Sequence, residues 1–162
     1  MYSTEPPPEI FYSEPMVDRK SKFQAYCARC KDTQEVCLFR DTLLDNPKIE
    51  KATHNILAWI TPNDSGYDDD GETHAGIQVL QAMEGAGCEN CAVMVSRWFG
   101  GIMLHGDRFR DITNIAMTVL RDNGLVPEAP VKKANDKAEK DAEKKRLQEA
   151  QEQSRQKRKK KK

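Results

Sequence analysis

Long apolar runs are missing from this chain. Nowhere in its 162 residues do about 18 apolar side chains follow one another, the length a membrane-crossing helix needs. The start lacks the marks of a signal peptide: Met1-Tyr2-Ser3-Thr4-Glu5 leads into Pro6-Pro7-Pro8, with no basic opening and no apolar core. A protein that stays inside the cell is expected, with no membrane partner. No Gly-x-Ser-x-Gly turn occurs, so nothing marks an activated serine. No segment carries the alternating oxygen ligands of an EF-hand, and no internal repeat is visible. Aromatic residues make up only 7% of the chain and the mean hydropathy is −0.79, too polar for every residue to belong to one packed globule.

Cysteine is present in an odd number, five: Cys27, Cys30, Cys37, Cys88 and Cys91. Without an export signal, free thiols in a reducing compartment are expected. Cys27/Cys30 and Cys88/Cys91 are two Cys-x-x-Cys pairs, a pattern that invites a four-cysteine zinc site. However, 57 residues lie between the pairs, far beyond the usual spacing of about 15–20. Cys27 and Cys30 also sit in a strand-like run, where residues three apart face opposite sides. His54, His74 and His105 are scattered along the chain. No metal site, no cofactor and no catalytic residue is assigned.

The formal net charge of zero conceals a split. Residues 131–162 hold 14 Lys/Arg and 6 Asp/Glu, a net of +8, and the preceding 130 residues hold 12 against 20, a net of −8. After about residue 130 apolar residues nearly vanish, with Leu147 the exception. This composition divides the chain into a disordered start over 1–9, an α+β domain over 10–130, and a charged tail over 131–162 that is helical or disordered. Seven of the last eight residues are basic. Arg155, Lys157, Arg158, Lys159 and Lys160 are the candidate contacts for a polyanion such as RNA, and the same cluster would serve nuclear entry.

Within the body, 10–29 reads as two strands. Asp32, with Glu35 three residues on, reads as the cap of a helix whose apolar stripe is Val36, Phe39, Leu43 and Leu44, ended by Asn46-Pro47. Asn55–Thr61 reads as a strand and Pro62–Glu72 as a loop. A helix is expected from about Ala75 to Met83, closed by Gly85-Ala86-Gly87. Cys91–Val95 has the apolar continuity of a central strand. A last helix, capped by Asp107, carries Phe109, Ile112, Ile115, Ala116, Val119 and Leu120 on one face and stops at Asn123-Gly124.

Two clusters carry chemistry. Asp68-Asp69-Asp70-Gly71-Glu72 puts four carboxylates within five residues, suited to a hard cation or to a solvated approach to a helix N-terminus. Arg97-Trp98-Phe99-Gly100-Gly101 follows the central strand, and its glycines permit a close backbone approach. Trp98 and Phe99 could fill the core while Arg97 pairs with Asp69, Asp70 or Glu72; alternatively the segment is a ligand surface.

Taken together these segments resemble the Impact family. Asp69–Thr73 with Ala75-Gly76 and Leu80 resembles one signature, and Val93–Leu104 a second; Asp107-Arg108-Phe109 follows at the family's position, and Lys20–Phe23 and Thr53-His54 match weaker signals. The resemblance covers about residues 15–122. His74 stands where the family usually has a small residue, Ile77-Gln78 where a Gly and a basic residue are common, and His105 where Gly is usual. Eukaryotic members usually carry an RWD domain ahead of this region, and none is expected within these 162 residues.

The resemblance implies a two-layer mixed sheet with helices on one face, like the second domain of small-subunit ribosomal protein S-five. It implies a cytoplasmic, non-enzymatic, monomeric regulator of translation, similar to inhibitors of the pathway in which a starvation-responsive kinase phosphorylates an initiation factor. The implied partners are the kinase's ribosome-associated activator or a related translation factor, and actin. The expected binding surface is Asp69, Asp70, Gly71, Glu72, Arg97, Trp98, Phe99, Gly100, Gly101 and Arg108. The rival readings are an RNA- or ribosome-binding module anchored by the tail, and an unrecognised hydrolase or metal enzyme.

Overall fold

The computed structural model describes residues 5–128 and 131–160, with side chains of the second stretch over 140–159. The chain forms two compact units, Met1–Pro127 and Glu128–Lys162. Residues 1–4 of the expected disordered start lie outside the described residues, and 6–10 have no regular structure.

The first unit is α+β. Its order is β1 (Phe11–Tyr12), β2 (Met16–Asp18), β3 (Ser21–Arg29), α1 (Thr33–Leu44), α2 (Pro47–Glu50), β4 (His54–Ile60), β5 (Ser65–Asp68), α3 (Ala75–Gly85), β6 (Cys91–Trp98) and α4 (Asp107–Asp122). The strands form one sheet in the order β1-β3-β6-β4-β5, with β2 also on β3. Every pairing among the described residues is antiparallel, which corrects the mixed sheet. Strand β6 is central, as its apolar run requires: Cys91–Arg97 are all buried.

The placement of helices on one face is also corrected. Phe23, Ala25, Cys27, Ile56, Ala58, Val93 and Val95 face α3 and α4. The alternate residues, Tyr26, Ala28, Leu57, Ala92 and Met94, pack with Val36, Phe39 and Leu43 of α1 and Ile49 of α2. Because β3, β4 and β6 are apolar on both sides, each side must be covered. Cys27 and Cys30 therefore belong to opposite cores. Burial pushes both thiols up to about 12, which keeps them protonated.

The 10–29 segment contains three strands rather than two. Arg19 and Lys20, both with positive φ, form the tight turn between β2 and β3. The 62–72 loop contains β5, whose Gly66 lies opposite Trp59 and Asp68 opposite Leu57. An edge strand needs no continuous apolar face, so its polar composition concealed it. Helix α1 starts as its sequence indicates: Asp32 Oδ1 accepts from the Glu35 amide at 2.9 Å. The returning Glu35 carboxylate takes the Lys31 amide at 3.0 Å. Helix α3 runs to Gly85, beyond the expected Met83, and Gly87 supplies the left-handed residue behind it. Helix α4 buries Ile112, Ile115, Ala116, Val119 and Leu120 as expected; its cap position is Gly106, and Asp107 is its first helical residue.

The second unit contains one helix, α5 (Val131–Lys160), exposed at every described side chain. Among the described residues no helix is long and apolar enough to cross a membrane.

Candidate functional site

At one end of the sheet, β6 delivers Arg97 to the side covered by α3 and α4. The register sets Arg97 opposite Phe23 of β3 and His54 of β4. Its guanidinium lies 5.7 Å from the Phe23 ring centre and 5.6 Å from that of Phe99. Charge at such a place needs a partner. Glu72 provides it, with Oε2 2.8 Å from Arg97 Nη1, and both side chains are 6% exposed. This meets the expectation that Arg97 pairs with the acidic loop. Glu72 Oε1 accepts from Arg108 Nε, also at 2.8 Å, so one carboxylate holds two guanidiniums. His54 Nε2 is 3.7 Å from Glu72 Oε2, and His54 Nδ1 is 2.8 Å from the Asp70 carbonyl.

The rest of the acidic loop turns inward on backbone. Asp70 Oδ2 accepts from the Asn55 amide at 2.7 Å, and Asp69 Oδ1 from the Gly76 amide at 2.7 Å. Asp68 Oδ1 accepts from the Asp70 amide at 2.9 Å. Gly71 has a φ of +84°, a left-handed conformation natural to glycine, and sits against the His54 ring. These bonds lock the loop so that Glu72 can reach Arg97.

The second signature also gives backbone amides to hydroxyls of the two weaker segments. Thr53 Oγ1 accepts from the Phe99 amide at 2.9 Å, and Ser21 Oγ from the Gly100 amide at 3.3 Å. A Cβ on Gly100 would come within 1.9 Å of the Lys20 carbonyl oxygen, so only glycine fits against the β2–β3 turn. Gly101 has a φ of +94°.

A cavity of about 290 Å³ opens beside these groups. Its polar wall is His54, Glu72, Arg97, His105 and Arg108; Phe99, Met103 and Leu104 line its apolar side, and Thr53 completes it. Of the expected surface, Glu72, Arg97, Phe99 and Arg108 converge here. Trp98 does not: strand alternation sends it to the opposite side, where Nε1 donates to the Lys48 carbonyl at 3.0 Å and Lys22 Nζ lies 5.2 Å from the ring centre. Asp69, Asp70, Gly100 and Gly101 shape the backbone around the cavity without lining it. Arg155, Lys157, Arg158 and Lys159 lie exposed on α5 in the second unit; the Lys160 side chain lies outside the described residues. Thr53, His54, Met103, Leu104 and His105 were not expected as site residues, although Thr53-His54 belonged to the weaker family signals. Among the described residues, no group of three or more His, Cys, Asp or Glu is placed to hold a metal.

A second charged cluster lies at the start of α4. Arg19 pairs with Asp107 and lowers its carboxyl pKa. The Asp111 carboxyl is pushed up to about 6, first by burial and then by its contact with Asp18, with Arg110 opposing.

The sequence matches the Impact N-terminal domain over residues 19–120. The chain belongs to the Impact family. Protein IMPACT of Mus musculus is 42% identical over 123 residues, which cover 72% of this chain and 39% of that protein. The Protein IMPACT homolog of Caenorhabditis elegans is 39% identical over 126 residues, 73% of this chain and 49% of that one. The chain thus spans less than half the length of these relatives. Among solved structures, that of the two-domain translational regulator Yih1 is similar with a TM-score of 0.51 and 32% identity, over 74% of this chain and 49% of that one. A structure described as a hypothetical protein shares the fold, with a TM-score of 0.63 and 23% identity over 71% of this chain and 59% of that one.

Proposed function

We propose that the chain is a non-enzymatic, cytoplasmic regulator of translation that acts by protein–protein binding, related to inhibitors of the starvation-responsive initiation-factor kinase pathway. The observation that carries this reading is the convergence of both Impact signatures on one cavity, in a chain similar to the translational regulator Yih1. The cavity suits recognition better than turnover. Glu72 is committed to two arginines, and no serine or cysteine nucleophile lines the wall. The ribosome-associated kinase activator, or a related translation factor, is the first candidate partner, and actin the second.

The test adds the purified chain to an amino-acid-starved translating extract and follows phosphorylation of the initiation factor. A dose-dependent fall is expected. Unchanged phosphorylation at saturating chain rejects the reading.

A second reading, RNA or ribosome binding with nuclear entry through the same basic cluster, is favoured by the exposure of Arg155, Lys157, Arg158 and Lys159 on one helix end. Capture from extract with and without nuclease separates the two: a partner retained after nuclease is a protein.

A further inference from the structure

The cavity beside Glu72 is unbalanced in charge. Arg97 and Arg108 share one carboxylate, so one formal positive charge is left over even with His54 and His105 neutral. Its hydrogen bonds are unbalanced as well. Arg97 gives Nη1 to Glu72, but its Nε is out of contact with solvent and has no hydrogen-bond partner among the described residues. Buried donors are almost always satisfied, so Arg97, a cavity-lining residue, keeps part of its donor capacity unused behind the cavity wall. The acidic loop does not supply one, because the Asp69 and Asp70 carboxylates accept from backbone amides.

The rim is apolar. Phe99 is 45% exposed and Met103 62%, and Ile102 in the same turn is 41% exposed. Three large apolar side chains within five residues, uncovered next to a cationic hollow, mark a contact surface.

We propose that this cavity binds a carboxylate side chain of a partner protein, an Asp or Glu set beside a Leu-, Ile- or Phe-type residue. Arg97 and Arg108 receive the carboxylate, and Phe99 and Met103 cover the apolar neighbour. The proposal rests on the protein-binding reading above and names the chemistry of the partner. A monoanion matches the single positive excess, whereas a phosphate dianion would set its second charge against buried Glu72. A nucleic acid would bring further phosphates onto a stretch, residues 1–130, that holds 12 basic against 20 acidic residues.

The test uses the full chain and fluorescence anisotropy. The probes are labelled dodecapeptides of Gly and Ser with a central Leu-Glu-Leu, Leu-Gln-Leu or Ser-Glu-Ser. A uridine RNA dodecamer and inorganic phosphate are the competitors. The Leu-Glu-Leu peptide is expected to bind, and the Gln analogue to bind roughly 10- to 100-fold more weakly, as the loss of a charged hydrogen bond predicts. Arg108→Ala should cause a similar loss. Because Arg108 also holds Glu72, Met103→Asp is the second variant: it alters only an exposed rim position and should weaken the peptide while leaving the melting temperature in place. Four results overturn the proposal: no binding of Leu-Glu-Leu, equal binding of the Glu and Gln peptides, unchanged binding by the folded variants, or displacement by RNA or phosphate. The last would assign the cavity to a phosphate group. Failure here with a retained effect in the starved extract leaves the translation reading standing. Peptide binding with no effect in the extract rejects that reading and keeps the carboxylate site.

Discussion

Replacing Glu72 by Gln tests whether the two family signatures are held together electrostatically. The carboxylate is almost fully buried and accepts from Arg97 and Arg108 at 2.8 Å each. A glutamine amide offers one acceptor oxygen, and its NH₂ then faces the other guanidinium, donor against donor. The Arg97 arm is buried on both sides, so breaking it costs about 3–5 kcal/mol. Arg108 is 28% exposed and its arm is worth only about 1 kcal/mol or less. If glutamine keeps one of the two bonds, a net loss of roughly 3 kcal/mol follows. For a unit of this size that corresponds to a fall in Tm of about 10 °C. Thermal melting by circular dichroism measures it, with Glu72→Gln/Arg97→Met as the second variant. Removing both buried charges should recover part of the loss, because the penalty comes from the charge left unpaired. A fall of less than about 2 °C in the single variant, or a double variant no more stable than the single, refutes the reasoning.

Gly100→Ala places a methyl group on the Lys20 carbonyl and should cost about 3 kcal/mol or more in urea unfolding, while Gly101→Ala, with open space but a positive φ, should cost about 1 kcal/mol. His105 has a φ of 50° where the family usually carries glycine, so His105→Gly should raise stability by roughly 1 kcal/mol in the same assay. The raised Asp111 carboxyl stabilises the folded chain while protonated, and its contribution is lost as pH rises from about 4 through 6. Asp111→Asn, which mimics the protonated form, should therefore melt higher than the parent at pH 7.5 and alike at pH 4. Deleting residues 151–162 should abolish most retention on a polyanion resin at low salt, whereas equal retention would place the polyanion contact in the body.

The parts of the fold legible in the sequence were those with local signals. The Asp32 cap, the α4 stripe and the continuous apolar run of β6 each need only neighbouring residues to be read. Strand β5 was hidden because Ser65-Gly66-Tyr67-Asp68 owes its form to its partner strand rather than to its own pattern. The second helical layer rests on Tyr26, Leu57 and Met94, the other faces of the strands, whose apolar pattern marks a buried face but does not say which element covers it. For the site, the charge argument found Arg97 and Glu72, since a charge at the end of a buried strand must be compensated. The expected binding surface also set Trp98 beside Arg97, although adjacent strand residues point to opposite sides. Met103 and His105 were within the resemblance, yet only the closing of the turn against α4 brings them to the cavity wall.

The central position of β6 bears on the kinetics of recognition. Its backbone is paired on both edges and covered on both faces, so its amides can exchange with solvent only when both cores open together. Arg97 thus hangs from the slowest-opening segment of the sheet. A molecule arriving at that guanidinium meets backbone that is already ordered, and little conformational entropy is lost there on association. Variation among ligands of this cavity would then show itself in how long they stay rather than how fast they arrive.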